Sequence, residues 1–132
     1  MELVDAALAK AESNTYEVLV AAANAAEARG RRTDLLGYVC FGATPMTDAT
    51  FDLYWIVVDP QERGRGVGTA LLASTEETLR LRRARTLRIE TSSQEGQGGA
   101  ARFYVRHGYD EVGRILDFYR PGDDLLTFAK RL

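Results

Sequence analysis

The segment FDLYWIVVDP (51–60) restricts the fold more than any other stretch. It is apolar almost throughout and rich in aromatic and β-branched residues, so it reads as a central strand. Asp59-Pro60 ends it. From about Arg65 to Arg83 the pattern turns helical, with Leu72, Thr75 and Leu79 on one face and Glu76, Arg80 and Arg83 elsewhere. TLRIET (86–91) is a strand again. Strand, helix and strand within residues 51–91 predict a crossover that leaves two strands parallel. The fold class is therefore α/β.

The remaining elements read as antiparallel additions to this unit. TYEVLVAA (15–22) and LLGYVCFGA (35–43) form a predicted hairpin around the polar turn EARGRRTD (27–34). Residues 2–12 carry Leu3, Ala7, Leu8 and Ala11 at helical spacing, which predicts a helix. SSQEGQGG (92–99) reads as a flexible loop, and AARFYVRHG (100–108) as a short helix stopped by Gly108. YDEVGRILDFY (109–119) and LLTFAKRL (125–132) read as a closing antiparallel pair about the turn RPGDD (120–124). With no repeat and no internal linker, residues 1–132 read as a single domain.

Composition removes several function classes. Lys and Arg number 17 against 19 acids, a formal charge of -2, which argues against non-specific nucleic-acid binding. Cys40, the only cysteine, cannot form an internal disulfide or a Cys-rich metal site. A two-histidine zinc site is excluded because His107 is the only histidine, and no metal is expected. No run approaches the roughly eighteen apolar residues of a membrane span. The acidic start MELVDAALAKAE lacks the positive charge of a signal peptide, so a cytoplasmic location is expected.

Chemistry is concentrated in DPQERGRGVGTALL (59–72), where Gly64, Gly66 and Gly68 stand between the apolar strand and the helix. The first backbone N–H groups of a helix lack internal partners, and its dipole is positive there. Glycines let such a backbone approach an anion closely, so the junction reads as a phosphate cradle, with Arg63 and Arg65 adding charge. A P-loop is excluded because no lysine follows these glycines. A dinucleotide fingerprint is excluded because Thr69 stands where its last glycine belongs.

The surrounding residues are more specific. Gln61-Glu62-Arg63-Gly64-Arg65-Gly66 is Gln-x-x-Gly-x-Gly, between VVDP and VGTALL. It resembles the acetyl-CoA cradle of the GNAT N-acetyltransferase superfamily. FYVRHGY (103–109) resembles that superfamily's second signature, a helix bearing Phe-Tyr that ends at Gly-Tyr or Gly-Phe. The stretches GYVCFG, DLYWIVVDP, ETSS and DFYRPGDD are similar to one bacterial branch of small single-domain members.

The resemblance implies a mixed, mostly antiparallel sheet with a splayed central parallel pair, flanked by helices. It implies acetyl-CoA as cosubstrate. Pantetheine would pair with the backbone of Ile56, Val57 and Val58, and the diphosphate would sit on the amides of Arg63, Gly64, Arg65, Gly66, Val67, Gly68 and Thr69. Tyr104 matches the tyrosine that protonates the departing thiolate. Two carboxylates compete as base: Asp52, expected to have a raised pKa on its apolar strand, and Glu90 at the end of the next parallel strand. Tyr54 either lines the acceptor pocket or packs in the core, and Ser93 either contacts coenzyme A or the substrate or serves only its loop. RLRRAR (80–85) reads as a solvated face, His107 as a helix-end residue without a catalytic role, and Cys40 as a buried structural thiol.

The resemblance implies a strand and one or two helices before the first hairpin, so with only MELVDAALAKAE ahead of residue 15 this region is expected to be shortened, either naturally or by loss of its start. A sheet edge is then expected to need cover, which a homodimer would supply, with the final strand open to exchange between subunits. The leading expectation is an N-acetyltransferase acting on a small amine, an amino acid or a peptide N-terminus by direct transfer in a ternary complex. The alternatives are a non-catalytic acyl-CoA-binding sensor or interaction module and, more weakly, a generic nucleotide-binding domain.

Overall fold

The computed structural model describes residues 16–24, 29–30 and 34–132, together with the backbone of residues 2–6. Seven strands make one sheet: β1 (Glu2–Ala6), β2 (Glu17–Ala22), β3 (Leu35–Ala43), β4 (Thr50–Val58), β5 (Thr86–Ser92), β6 (Asp110–Arg120) and β7 (Asp123–Arg131). Their order is β1-β2-β3-β4-β5-β7-β6. Only β4 and β5 run parallel; every other neighbouring pair is antiparallel. Among the described residues the α-helices are α1 (Val67–Leu81), in the β4–β5 crossover, and α2 (Gly99–Arg106).

The expected helix at residues 2–12 is corrected over its first part. Glu2–Ala6 is a strand, in register with β2 from Glu2↔Ala22 to Ala6↔Val18. Pairing with an open sheet edge supplies partners for backbone N–H and C=O groups, and tertiary context of this kind overrides a weak helical pattern. The strand expected to be reduced is therefore present, and it covers the outer edge of β2. Residues 7–12 of the expected helix lie outside the described residues.

Both helices pack on one face of the sheet around a shared core. Leu71, Leu72 and Leu79 of α1 meet Val39, Phe41, Leu53, Leu87 and Ile89, while Tyr104 of α2 lies against Phe128 of β7. Burying each large apolar side chain contributes about 1.5–3 kcal/mol. One charged residue of α1 sits inside: Glu76 is buried, accepting hydrogen bonds from Tyr109 Oη at 2.7 Å and Lys130 Nζ at 3.1 Å. The cationic run after it is not simply solvated either. Arg82 donates to both carboxylate oxygens of Glu17 at 2.6 Å, tying the end of α1 to β2.

Two irregularities shape the centre of the sheet. Register between β3 and β4 shifts from Phe41↔Leu53 to Cys40↔Trp55, leaving Tyr54 as the extra residue of a β-bulge. Before it Leu53 faces the helices; after it Ile56 and Val58 do. The parallel register of β4 with β5 ends at Leu53↔Ile89, although β4 runs on to Val58 and β5 to Ser92. The two strands part there.

At the far end of β4 the sheet comes very close to α1. A Cβ on Gly37, which pairs with Val58, would stand 2.6 Å from the Val57 carbonyl oxygen, 3.2 Å from Val67 and 3.3 Å from Leu71. Replacing Gly37 with alanine is expected to lower stability by about 1–3 kcal/mol, the usual cost of overpacking. Urea unfolding of Gly37→Ala checks this, and a midpoint matching wild type would contradict the close packing.

Candidate functional site

The gap between β4 and β5 opens onto the glycine junction. Asp59 caps a 3-10 turn, Pro60–Glu62, its carboxylate accepting from the Gln61 N–H at 2.9 Å. Gly64 and Gly66 then adopt φ of +79° and +82°, with open space where a Cβ would stand. Conformation rather than crowding therefore requires glycine at both positions. Gly66 is the N-cap of α1, and the first helical bond runs from the Ala70 N–H to its carbonyl at 3.0 Å.

Among the described residues, the amides of Gly64, Gly66, Val67, Gly68 and Thr69 have no acceptor. Five unpaired N–H groups at a positive helix end are donors of the kind that suit an anion. Two amides expected in the cradle are already used: Arg63 donates to Pro60 O at 3.5 Å and Arg65 to Glu62 O at 3.2 Å. The Arg65 side chain stands 3.8 Å from Glu62 and is largely exposed, so that pair contributes little. Gly68 packs helix on helix, since a Cβ there would meet the Phe103 ring at 3.6 Å and Val58 at 3.7 Å.

Beside the gap, α2 presents Tyr104. It is buried among Phe103, Tyr109 and Phe128, with ring centroids 5.3, 5.9 and 6.0 Å away. Among the described residues nothing hydrogen-bonds its hydroxyl. Burial, with the charge of Glu95 adding to it, pushes its pKa up to about 12, so the phenol stays protonated through neutral pH. Glu95, which sequence reasoning did not single out, is itself held by a 2.8 Å hydrogen bond from Thr91 Oγ1 at the end of β5. Its position in a loop of glycines gave no signal.

The carboxylates lie on the opposite face of the sheet, alternating with Leu53, Leu87 and Ile89 of the core. Asp52, Tyr54, Arg88 and Glu90 line a cavity of about 150 Å³. Asp52 is not an isolated acid on an apolar strand, as the sequence suggested. Its oxygens accept from Arg88 Nε at 2.7 Å and Nη2 at 3.2 Å, a bidentate pair that raises the guanidinium pKa despite partial burial. Arg88 was missed because a single arginine in TLRIET has no distinctive spacing. Glu90 is exposed and makes no hydrogen bond among the described residues. Burial, then the Asp52 charge, raises the Tyr54 pKa, and its ring meets Tyr16 edge-on at 5.1 Å.

Ser93 directly follows the end of β5. Its hydroxyl accepts from the Asp124 N–H at 2.9 Å, and it lines a groove between α2 and β6 with Arg102 and Arg106. Cys40 is buried, and desolvation raises its thiol pKa. Among the described residues no His, Cys, Asp and Glu group is arranged to hold a metal ion, and no helix is long and apolar enough to cross a membrane.

The family model of the acetyltransferase (GNAT) domain matches residues 14–111, most of the chain and both glycine signatures. The chain belongs to the GNAT acetyltransferase family. A GNAT-family protein of known structure from Desulfovibrio desulfuricans is 36% identical, with a TM-score of 0.78 over 88% of this chain and 68% of that one. Nourseothricin acetyltransferase is 25% identical with a TM-score of 0.71, covering 88% of this chain and 65% of that one. An aminoglycoside 6'-N-acetyltransferase, solved with coenzyme A, shares the fold at 16% identity and a TM-score of 0.67, over 88% of this chain and 72% of that one. The chain thus spans about two thirds of the length of these structures. No curated protein matches the sequence.

The GNAT fold and the free amides of α1 generate one direct expectation. Gly66→Ala introduces no clash, only the strain of a left-handed conformation, about 1–2 kcal/mol. The variant is expected to lose that stability and to bind acetyl-CoA more weakly as the turn relaxes. Calorimetric titration against wild type checks it; unchanged affinity would show that the φ of Gly66 does not shape the cradle.

Proposed function

We propose that the protein transfers acetyl from acetyl-CoA to a primary amine by direct attack in a ternary complex. The acceptor would be a small amine, an amino acid or a peptide N-terminus. The observation that carries this reading is the parting of β4 from β5 beside five unpaired amides and one buried, protonated tyrosine. In it, pantetheine adds to the free edge of β4 at Ile56, Val57 and Val58, as a ligand completing a sheet. The diphosphate lies on the amides of Gly64, Gly66, Val67, Gly68 and Thr69, and the side chains of Arg63 and Arg65 remain near solvent.

The amine enters from the face that carries Asp52 and Glu90. A carboxylate takes a proton from the ammonium, the nitrogen attacks the thioester carbonyl, and the C–N bond forms as the C–S bond breaks, the nitrogen giving its surplus proton to solvent. Tyr104 gives its proton to the departing sulfur, and solvent restores it. Glu90 is the better base, because Asp52 already accepts two hydrogen bonds from Arg88 while Glu90 faces the same cavity without one. Asp52 then holds Arg88 in place.

Thiol release from acetyl-CoA across an amine panel tests the reading. Tyr104→Phe is expected to lower kcat by about 10²-fold or more with acetyl-CoA affinity retained, and Glu90→Gln to lower kcat by a similar factor. With the Tyr104 pKa near 12, no loss of rate assignable to its ionisation is expected below about pH 10. Binding of acetyl-CoA without release of thiol for any amine would instead favour a non-catalytic acyl-CoA-binding module.

A further inference from the structure

His107 is the only histidine of the chain, and the transfer just described does not use it. It follows the last residue of α2, and its ring bridges the two helices. Nδ1 lies 2.8 Å from the Phe103 carbonyl oxygen and Nε2 lies 3.1 Å from Thr69 Oγ1. The ring also packs against Phe103 at a tilt of 39°, with centroids 4.4 Å apart. Thr69 is the third residue of α1, exposed, and its amide belongs to the unpaired set.

Donor and acceptor chemistry leaves two arrangements. A carbonyl oxygen can only accept, so Nδ1 carries a hydrogen whether the ring is neutral or charged. In the neutral ring Nε2 is therefore the acceptor, and the single hydroxyl hydrogen of Thr69 points at it. In the imidazolium Nε2–H donates to Oγ1, and the Thr69 hydrogen is released toward another acceptor. Protonation thus turns Thr69 from a donor to histidine into a donor available at the helix N-terminus.

We infer that His107 sets the hydrogen-bond polarity of Thr69, so that the cradle holds the coenzyme A diphosphate more tightly when the ring is protonated. This rests on reading the junction as the diphosphate site. The effect runs through one hydroxyl: Thr69 gains a hydrogen for a phosphate oxygen only when Nε2 no longer accepts it. Affinity is therefore highest at low pH and falls as the imidazole loses its proton.

The charged groups around the ring do not substitute for the ligand. Lys130 of β7 donates to the His107 carbonyl oxygen at 3.0 Å and to Glu76 of α1 at 3.1 Å. Tyr109 also donates to Glu76, at 2.7 Å. Arg106, on the same helix, sits 6.0 Å above the Phe103 ring, and Arg65 stands at the cradle turn near Glu62. Among the described residues no carboxylate hydrogen-bonds the ring.

The test uses dephospho-CoA, which keeps the diphosphate but lacks the 3′-phosphate whose own ionisation near neutral pH would confuse the result. Calorimetry on the wild-type protein is expected to show about tenfold tighter binding at about pH 5.5 than at about pH 8, the size of one charge-assisted hydrogen bond. Thr69→Val, which keeps the shape of an exposed side chain without its hydroxyl, and His107→Gln are each expected to reduce that ratio to less than about twofold. If His107→Gln fails to fold, Thr69→Val carries the comparison alone.

Reciprocity supplies a second readout, because a ligand that prefers the charged ring must itself favour that ring form. The NMR titration curve of the single histidine should move to higher pH when dephospho-CoA is added to wild type and stay in place in Thr69→Val. A wild-type ratio within about twofold, or a tenfold ratio that survives in Thr69→Val, would overturn the inference while leaving the diphosphate site intact. Absence of binding at either pH would remove the diphosphate reading itself, and this inference with it.

Discussion

Beyond Leu53 and Ile89, β4 and β5 give up the hydrogen bonds that hold every other neighbouring pair of the sheet together. Strand edges left open in a protein interior are costly unless something pairs with them. Here the opening is built in: β3 holds β4 on one side from Phe51 to Val58, and β7 holds β5 on the other to Ser92. Each strand is fixed by its outer neighbour, so the gap cannot simply zip shut. The features around the gap follow from this constraint.

The bulge at Tyr54 increases local twist where the strands diverge and turns Ile56 and Val58 back onto the core, so β4 stays packed after leaving β5. Gly37 lets the N-terminal end of α1 settle onto the far end of β4, bringing its unpaired amides to the mouth of the gap. Gly68 lets Phe103 of α2 pack against that same end, which places Tyr104 beside the opening. His107 then joins the end of α2 to Thr69 of α1. The unpaired amides, Tyr104 and the cavity lined by Asp52 and Glu90 are carried by different elements, all set around the parted strands.

Much of this was legible in the sequence because it rests on local chemistry. The run FDLYWIVV fell within one residue of β4, and the alternating glycines marked the start of α1, since positive φ at Gly64 and Gly66 demands that residue type. FYVRHGY placed α2 and Tyr104. What was missed depends on contacts distant in sequence. Glu2–Ala6 is extended because β2 offers an edge, a fact absent from its own pattern. The environment of Asp52 is set by Arg88, thirty-six positions away, and that of Glu76 by Tyr109 and Lys130. The amides of Arg63 and Arg65 were expected in the cradle, but the 3-10 turn and the bend after it consume them.

The central claim is that acetyl-CoA occupies the parting of β4 from β5, with its diphosphate on the first turn of α1. Amide hydrogen exchange, with and without saturating acetyl-CoA, addresses it most directly because it reports on the backbone groups assigned to the ligand. Exchange should slow at Ile56–Val58 and at Gly64–Thr69 and remain unchanged along β2. Protection confined to other segments, or none in those two, would contradict the account.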